Sequence, residues 1–290
     1  MTNAAGLPGL FICGENVAGL YMTGNHPDPG ESVWSWDSSL AEDLPAERRS
    51  WLAELDEVKP VTLEDGRAVV LVTASSEGGA AVIERDSGRV VFSGRCRNAH
   101  SIELLPGGLL AVAGSVGTDE LQLWRLADGL AAGAPVATAP LEHAHGAVWE
   151  PGAGRLWTCG ADKVVIFRVS GGAVAPSLGR EKVIDLSESG AHDLLPDPCG
   201  GGLVVSTSRR CWRVDPGSCE VAAFGPLERV RNVKAVSVER GSGTVAFQKA
   251  EESWWSENVY LLSRDGAMGM MTIPGRRLYK CRWDQPCRLE

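Results

Sequence analysis

Three histidines recur in one short context, Ala99-His100, Ala144-His145 and Ala191-His192. Three lysines read as occupying the same place in other repeats: Val58-Lys59, Val233-Lys234 and Tyr279-Lys280. The steps from residue 59 through 100, 145, 192 and 234 to 280 are 41, 45, 47, 42 and 46 residues. Neutral imidazoles converging from adjacent repeats can bind Zn, Mn, Fe or Ni and leave positions open for water or substrate. On that reading His100, His145 and His192 are metal ligands. Lys59, Lys234 and Lys280, facing them, are the candidate catalytic bases, their amines made less basic by neighbouring cations. Without a metal, the same six residues would form a ring that binds an anion, or a channel lining that holds ordered water.

The segments leading into these positions add charge. Arg95, Arg97 and Asn98 precede His100; Arg229, Arg231 and Asn232 precede Lys234; Arg276 and Arg277 precede Lys280. Glu142 and Glu188 precede the other two histidines and offer a fourth ligand or an orienting carboxylate. In a chain of net charge -9 this gathers positive charge at one place, and a funnel of one sign attracts a ligand of the other. Arginine grips carboxylate or phosphate oxygens in pairs. Arg97, Asn98, Arg231, Asn232 and Arg277 are therefore candidate substrate contacts. Trp254 and Trp255, adjacent in a polar loop, could stack on a sugar or an aromatic ligand. Cys13 and Cys159 fall at equivalent places but have no evident base beside them. The chain has no P-loop, GxSxG, HExxH or dinucleotide fingerprint. It also has no acids paired as in glycosidases.

The elements that must position these residues repeat with a period near 45. After each His or Lys comes a short strand and a Gly-rich turn such as Pro106-Gly107-Gly108 or Gly241-Ser242-Gly243. Then come an apolar strand, a third strand ending in a second turn such as Arg85-Asp86-Ser87-Gly88, and a fourth strand. Four short strands per unit are a β-propeller blade. A lone four-stranded sheet cannot bury both faces, so such units stack into a closed ring. At the ends, Leu278 to Trp283 reads as a first strand without followers. Leu10 to Gly14, Val17 to Met22 and Ser32 to Trp36 read as second, third and fourth strands without a first. The expectation is an all-β, six-bladed propeller over residues 1–290. One blade is closed by both termini, and a helical insertion at about 45–55 lies on the face where the ring residues begin, packed on the rim or forming a partial lid.

The 290 residues are 44% hydrophobic and 22% charged, enough for a sizeable core. The acidic balance argues against nucleic acid, and no run is long enough to be a membrane helix. The N-terminus has neither a basic region nor a long apolar stretch, and the eight cysteines show no CxxC spacing. A cytoplasmic protein with reduced thiols is expected. The repeat pattern, with Leu123-Trp124-Arg125 near a repeat end, resembles bacterial WD-repeat-like propellers. Cys13-Gly14 with Val33-Trp34-Ser35-Trp36 resembles an uncharacterised bacterial propeller family. Both resemblances imply a fold and no reaction. Functionally, the ring points to a metal-dependent lyase or hydrolase acting on a small anionic, carboxylate- or phosphate-bearing and possibly sugar-derived substrate. The alternative is a non-catalytic propeller that binds an anionic ligand or a peptide.

Overall fold

Continuous apolar runs such as Ala68–Ala74 and Leu109–Gly114 are buried on both faces, which a strand tolerates only between two packed sheets. A computed structural model, describing residues 8–23 and 32–289, shows how this is met. Six antiparallel four-stranded sheets each run from an inner to an outer strand in chain order. The inner strands are Leu55–Thr62 (blade 1), Ala99–Leu105 (blade 2), Ala144–Glu150 (blade 3), Asp193–Asp197 (blade 4), Val233–Val238 (blade 5) and Lys280–Trp283 (blade 6). They contact one another in that cyclic order around a central channel. Blade 6 is the shared one: Lys280–Trp283 pairs antiparallel with Leu10–Gly14, which pairs with Val17–Tyr21 and then Ser32–Asp37. The closure gives every inner strand, Lys280–Trp283 included, an antiparallel partner.

The core lies between blades. Phe11, Val58, Val70 and Trp36 pack where blade 6 meets blade 1, and Trp157, Leu194 and Val205 where blade 3 meets blade 4. The expected insertion forms one short helix, Ala46–Trp51. Leu44 and Leu52 at its flanks are buried in the first of these clusters. Its Trp51 is capped by the guanidinium groups of Arg48 and Arg95 at 5.1 and 5.6 Å. It is packed against the rim.

The two ends of the channel differ. On the face where inner strands begin, the blade connections press closely on the second strands. A Cβ at Gly14 would collide with the Arg277 carbonyl, and one at Gly160 with the Glu142 carbonyl. Both obstacles are backbone. Gly160→Ala is therefore expected to lower stability by roughly 1–3 kcal/mol, measured by urea unfolding; a neutral result would mean the connection yields. On the opposite face the C-terminal segment crosses the channel. Cys287 and Leu289 are buried beside Val148 and Leu195, Leu289 N donates to Trp149 O at 3.3 Å, and Asp284 is held by both Arg85 nitrogens at 3.0 and 2.7 Å.

Candidate functional site

Five of the six blades enter their inner strands through the same local device. Glu54, Asn98, His143, Gly190 and Asn232 take left-handed backbone conformations, with φ of 57, 53, 48, 81 and 58°. Asparagine and glycine tolerate that region best, which explains Asn98 and Asn232. The next residue, Leu55, Ala99, Ala144, Ala191 or Val233, is buried completely or nearly so. The residue after it stands outside the ladder. The register skips one residue between Leu55 and Glu57, Ala99 and Ser101, Ala144 and Gly146, and Val233 and Ala235. Asp56, His100, His145 and Lys234 are thus bulged, and a bulge re-aims its side chain. His192 and Tyr279 hold the matching place in blades 4 and 6, each donating its backbone N–H to the end of the second strand, at Ser206 O and Cys13 O, 2.9 Å in both.

The ring of equivalent residues is therefore Asp56, His100, His145, His192, Lys234 and Tyr279. This corrects two of the six positions expected. Lys280 lies one residue beyond the ring, paired with Cys13 as Glu57 is with Thr73. Lys59 lies three beyond it. The expected division of the mouth into three histidines and three lysines disappears. Three histidines and one lysine remain, with an acid and a phenol completing the circle.

The displaced lysines belong to a charged floor beneath the ring. Arg282, Lys280, Lys59, Glu57, Glu103 and Asp193 are all buried. Arg282 holds Asp193 through two bonds of 2.9 and 2.7 Å and reaches Glu57 at 2.8 Å. Lys280 Nζ lies 3.3 Å from Asp193, 3.4 Å from Glu57 and 3.0 Å from His100 O. Lys59 Nζ donates to Glu103 at 3.0 Å and to Ala147 O at 2.7 Å. Three cations meet three carboxylates, so the network is neutral. Burial alone would raise the Glu57 carboxyl, yet Arg282, Lys280 and Lys59 hold it down to about 2. Burial alone would lower Lys59, yet Glu103 and Glu57 raise it. Lys59 and Lys280 are sealed from the mouth and tied to carboxylates, so neither serves as a base for a ligand there.

At the mouth itself the rings touch in sequence. His100 stacks on His145 with centroids 4.1 Å apart and planes 17° apart, and His145 meets His192 edge-on at 5.2 Å. Tyr279 lies 6.0 Å from His100, and Trp254 meets Tyr279 edge-on at 5.9 Å. His145 Nδ1 lies 2.7 Å from His143 O, which makes that nitrogen the donor. Lys234 Nζ stands 2.9 Å from His192 Nε2. Burial keeps all three imidazoles neutral: His145 falls to about 4, and His100 and His192 fall well below their usual value, helped by neighbouring imidazoles and Lys234. Burial also lowers Lys234 to about 8. The same cause lifts Asp56 to about 7, against hydrogen bonds from Ser75, and raises Tyr279 further.

The metal expectation fits this arrangement poorly. Imidazole lone pairs lie in the ring plane, so nearly parallel stacked rings cannot aim them at one ion about 2.0–2.1 Å away. Lys234 faces the Nε2 of His192. Among the described residues no group of three His, Cys, Asp or Glu is placed to hold a metal. Cys13 and Cys159, buried at matching places, have thiols pushed up, Cys159 to about 12, and are not nucleophiles.

The rim is less basic than its sequence. Arg277 pairs with Glu15 at 3.4 Å and Glu54 at 3.2 Å, and its guanidinium lies 5.7 Å from the Trp254 ring. Arg276 also pairs with Glu15, at 3.5 Å. Asn98 Nδ2 donates to Val116 O at 3.0 Å, and Asn232 O accepts from Ala250 N at 2.9 Å, so both asparagines serve their turns. Arg97 and Arg231 are exposed and carry no ion pair among the described residues. Trp255 is held in a tight turn by backbone bonds with Glu252 and is partly buried. Asp56 and Tyr279 were missed in the sequence. Their signal is the apolar residue before each, Leu55 and Leu278, in place of Ala99, Ala144 and Ala191. Aligned so, the steps from 56 through 100, 145, 192 and 234 to 279 become 44, 45, 47, 42 and 45.

Comparison with known proteins adds the fold and a family. No curated protein matches the chain. The WD40 domain of Pan2 from Neurospora crassa is similar at 9% identity and a TM-score of 0.55, over 79% of this chain and 68% of that one. A functionally unknown protein from Desulfotomaculum acetoxidans is similar at 9% identity and a TM-score of 0.53, over 93% and 96%. At such identity the likeness concerns architecture alone. The model of a family of unknown function, DUF6528, matches residues 25–286, nearly the whole propeller, and the chain belongs to that family.

Proposed function

We propose that this propeller is a binding module whose mouth ring holds a small anionic ligand, carboxylate or phosphate, without a metal. The observation that supports this best is Lys234, an amine at the ring whose hydrogen-bond partner is the neutral His192 and which has no carboxylate partner among the described residues. The floor below is neutral and closed, while at the mouth Lys234 and the exposed Arg97 and Arg231 outnumber the one ring carboxylate, Asp56. A half-buried charge near neutral groups gains more from a counter-ion than one in water does. The binding reading takes precedence over the metal-dependent lyase because the imidazoles stack instead of converging, and because two of the three lysines assigned as bases belong to the floor.

Phosphate and citrate are therefore expected to raise the melting temperature of the protein with a saturable dependence on concentration. Lys234→Met is expected to weaken binding by at least about tenfold, the effect of losing a single charge-assisted hydrogen bond. Calorimetric titration checks both. Equal affinity in wild type and Lys234→Met would remove the ring from the reading. Stoichiometric metal in protein purified without a His tag would restore the lyase.

A further inference from the structure

Lys234 differs from the chain's five other lysines. Lys59, Lys163, Lys249 and Lys280 have carboxylate oxygens 3.0, 2.5, 3.4 and 3.3 Å from Nζ. Lys182 stands exposed on the outer strand Ser177–Asp185. Lys234 alone is partly buried with an imidazole nitrogen, His192 Nε2, as its hydrogen-bond partner at 2.9 Å. An ammonium in that place has lost hydration without gaining an ion-pair partner among the described residues, and the group in contact with it is the neutral His192 ring. Desolvated amines of this kind are nucleophiles toward carbonyl carbon.

We propose that Lys234 captures a carbonyl-bearing anion of the α-keto acid class as an imine at the channel mouth. The anionic half of this rests on the binding reading above; the amine half stands on the geometry of Lys234 itself. Nζ adds its lone pair to the carbonyl carbon while the C=O pair moves to oxygen. His192 Nε2, already in contact with Nζ, takes one amine proton and passes it to that oxygen. The resulting carbinolamine loses its hydroxyl as water together with the second amine proton, leaving a C=N bond to Nζ. Amine and carbonyl enter, imine and one water leave, and nothing is oxidised or reduced. The carboxylate beside the carbonyl meets the exposed guanidinium groups of the rim, Arg97 or Arg231, which lack ion-pair partners among the described residues.

Reductive trapping tests this on the full chain. The protein is incubated at pH 7.5 with pyruvate and sodium cyanoborohydride, and lysine adducts are mapped by peptide mass spectrometry. Alkylation at Lys234 is expected at least about tenfold faster than at the exposed Lys182, reflecting its larger neutral fraction. Equal or slower labelling of Lys234 overturns the proposal. Lys234→Arg removes the adduct. His192→Asn, folded by circular dichroism, slows it several-fold, and an unchanged rate there overturns the proton relay. Lactate, which has the carboxylate but no carbonyl, separates the two readings. If lactate raises the melting temperature and pyruvate leaves no adduct, anion binding stands and the imine falls. If acetaldehyde labels Lys234 as fast as pyruvate does, the reactive amine stands and its anionic partner falls.

Discussion

Replacing Arg282 with methionine should lower the stability of the protein by about 3–5 kcal/mol, the usual effect of removing one partner from a buried ion pair. Methionine keeps much of the side-chain volume, so the loss is mainly electrostatic. Arg282 is fully buried and joins three blades: its own, blade 4 through Asp193, and blade 1 through Glu57. Without it, three buried carboxylates face two lysines. Urea unfolding followed by tryptophan fluorescence measures the change, and a loss under about 1 kcal/mol would show that the network does not tie the ring together. The variant also carries a pH signature. The folded-state pKa of Glu57 lies below its ordinary value, so its contribution is fully present above about 4.5 and is lost as pH falls toward about 2. That acid limb should flatten in Arg282→Met.

Asp56→Asn should act in the opposite direction and stabilise the protein at pH 8. Asp56 is 3% exposed, its Oδ2 has no hydrogen-bond partner, and burial raises its carboxyl from 3.8 to about 7. A carboxyl whose folded pKa is raised favours the fold below about 3.8, and that advantage is lost as pH climbs through about 7. Each tenfold change in proton affinity between the folded and unfolded chain is worth about 1.36 kcal/mol, so the ceiling is about 4 kcal/mol, and a gain of roughly 2–4 kcal/mol is expected at pH 8. Asparagine retains an oxygen for the bonds from Ser75 and has no charge to desolvate. The gain should vanish at pH 4, where Asp56 is itself neutral in the fold. An unchanged pH dependence of unfolding in Asp56→Asn would place the titrating carboxyl elsewhere. The native protein therefore carries a charge at its mouth at a stability cost, a pattern that belongs to binding sites more often than to cores.

The architecture was legible because it is written in local terms. The turn glycines, the period near 45 and the orphan strands at both ends are short-range features, and the six sheets follow them with little change. Even the join of Lys280–Trp283 to Leu10–Gly14 was visible, since a first strand without followers and followers without a first strand complete each other. The three histidines were placed correctly for the same reason: Ala99, Ala144 and Ala191 sit in the blade-to-blade contact that admits only a small or apolar side chain, and the bulged residue follows. The remote His26 lies outside the described residues.

The lysines show where reading by residue type stops. Lys59 and Lys280 match His100 in polarity and nearly in spacing, and a slip of three residues for one and a single residue for the other looks trivial in sequence. In a strand it changes the neighbour and the depth of every side chain. The bulge after Leu55 makes Asp56 the ring residue and sends Glu57 and Lys59 down the channel; Tyr279 does the same to Lys280 and Arg282. The sequence by itself determined the number of blades, their closure, and a mouth where three imidazoles and Lys234 meet, because turn chemistry and apolar periodicity act within a few residues. Only the tertiary structure decided that the other cations are spent on Glu57, Glu103 and Asp193, that Glu15 and Glu54 neutralise Arg276 and Arg277, and that Lys234 is left facing His192. Glu15 and its partners Arg276 and Arg277 are 261 and 262 residues apart and meet at the rim of blade 6, and charge balance over such a sequence separation is set by three-dimensional proximity alone.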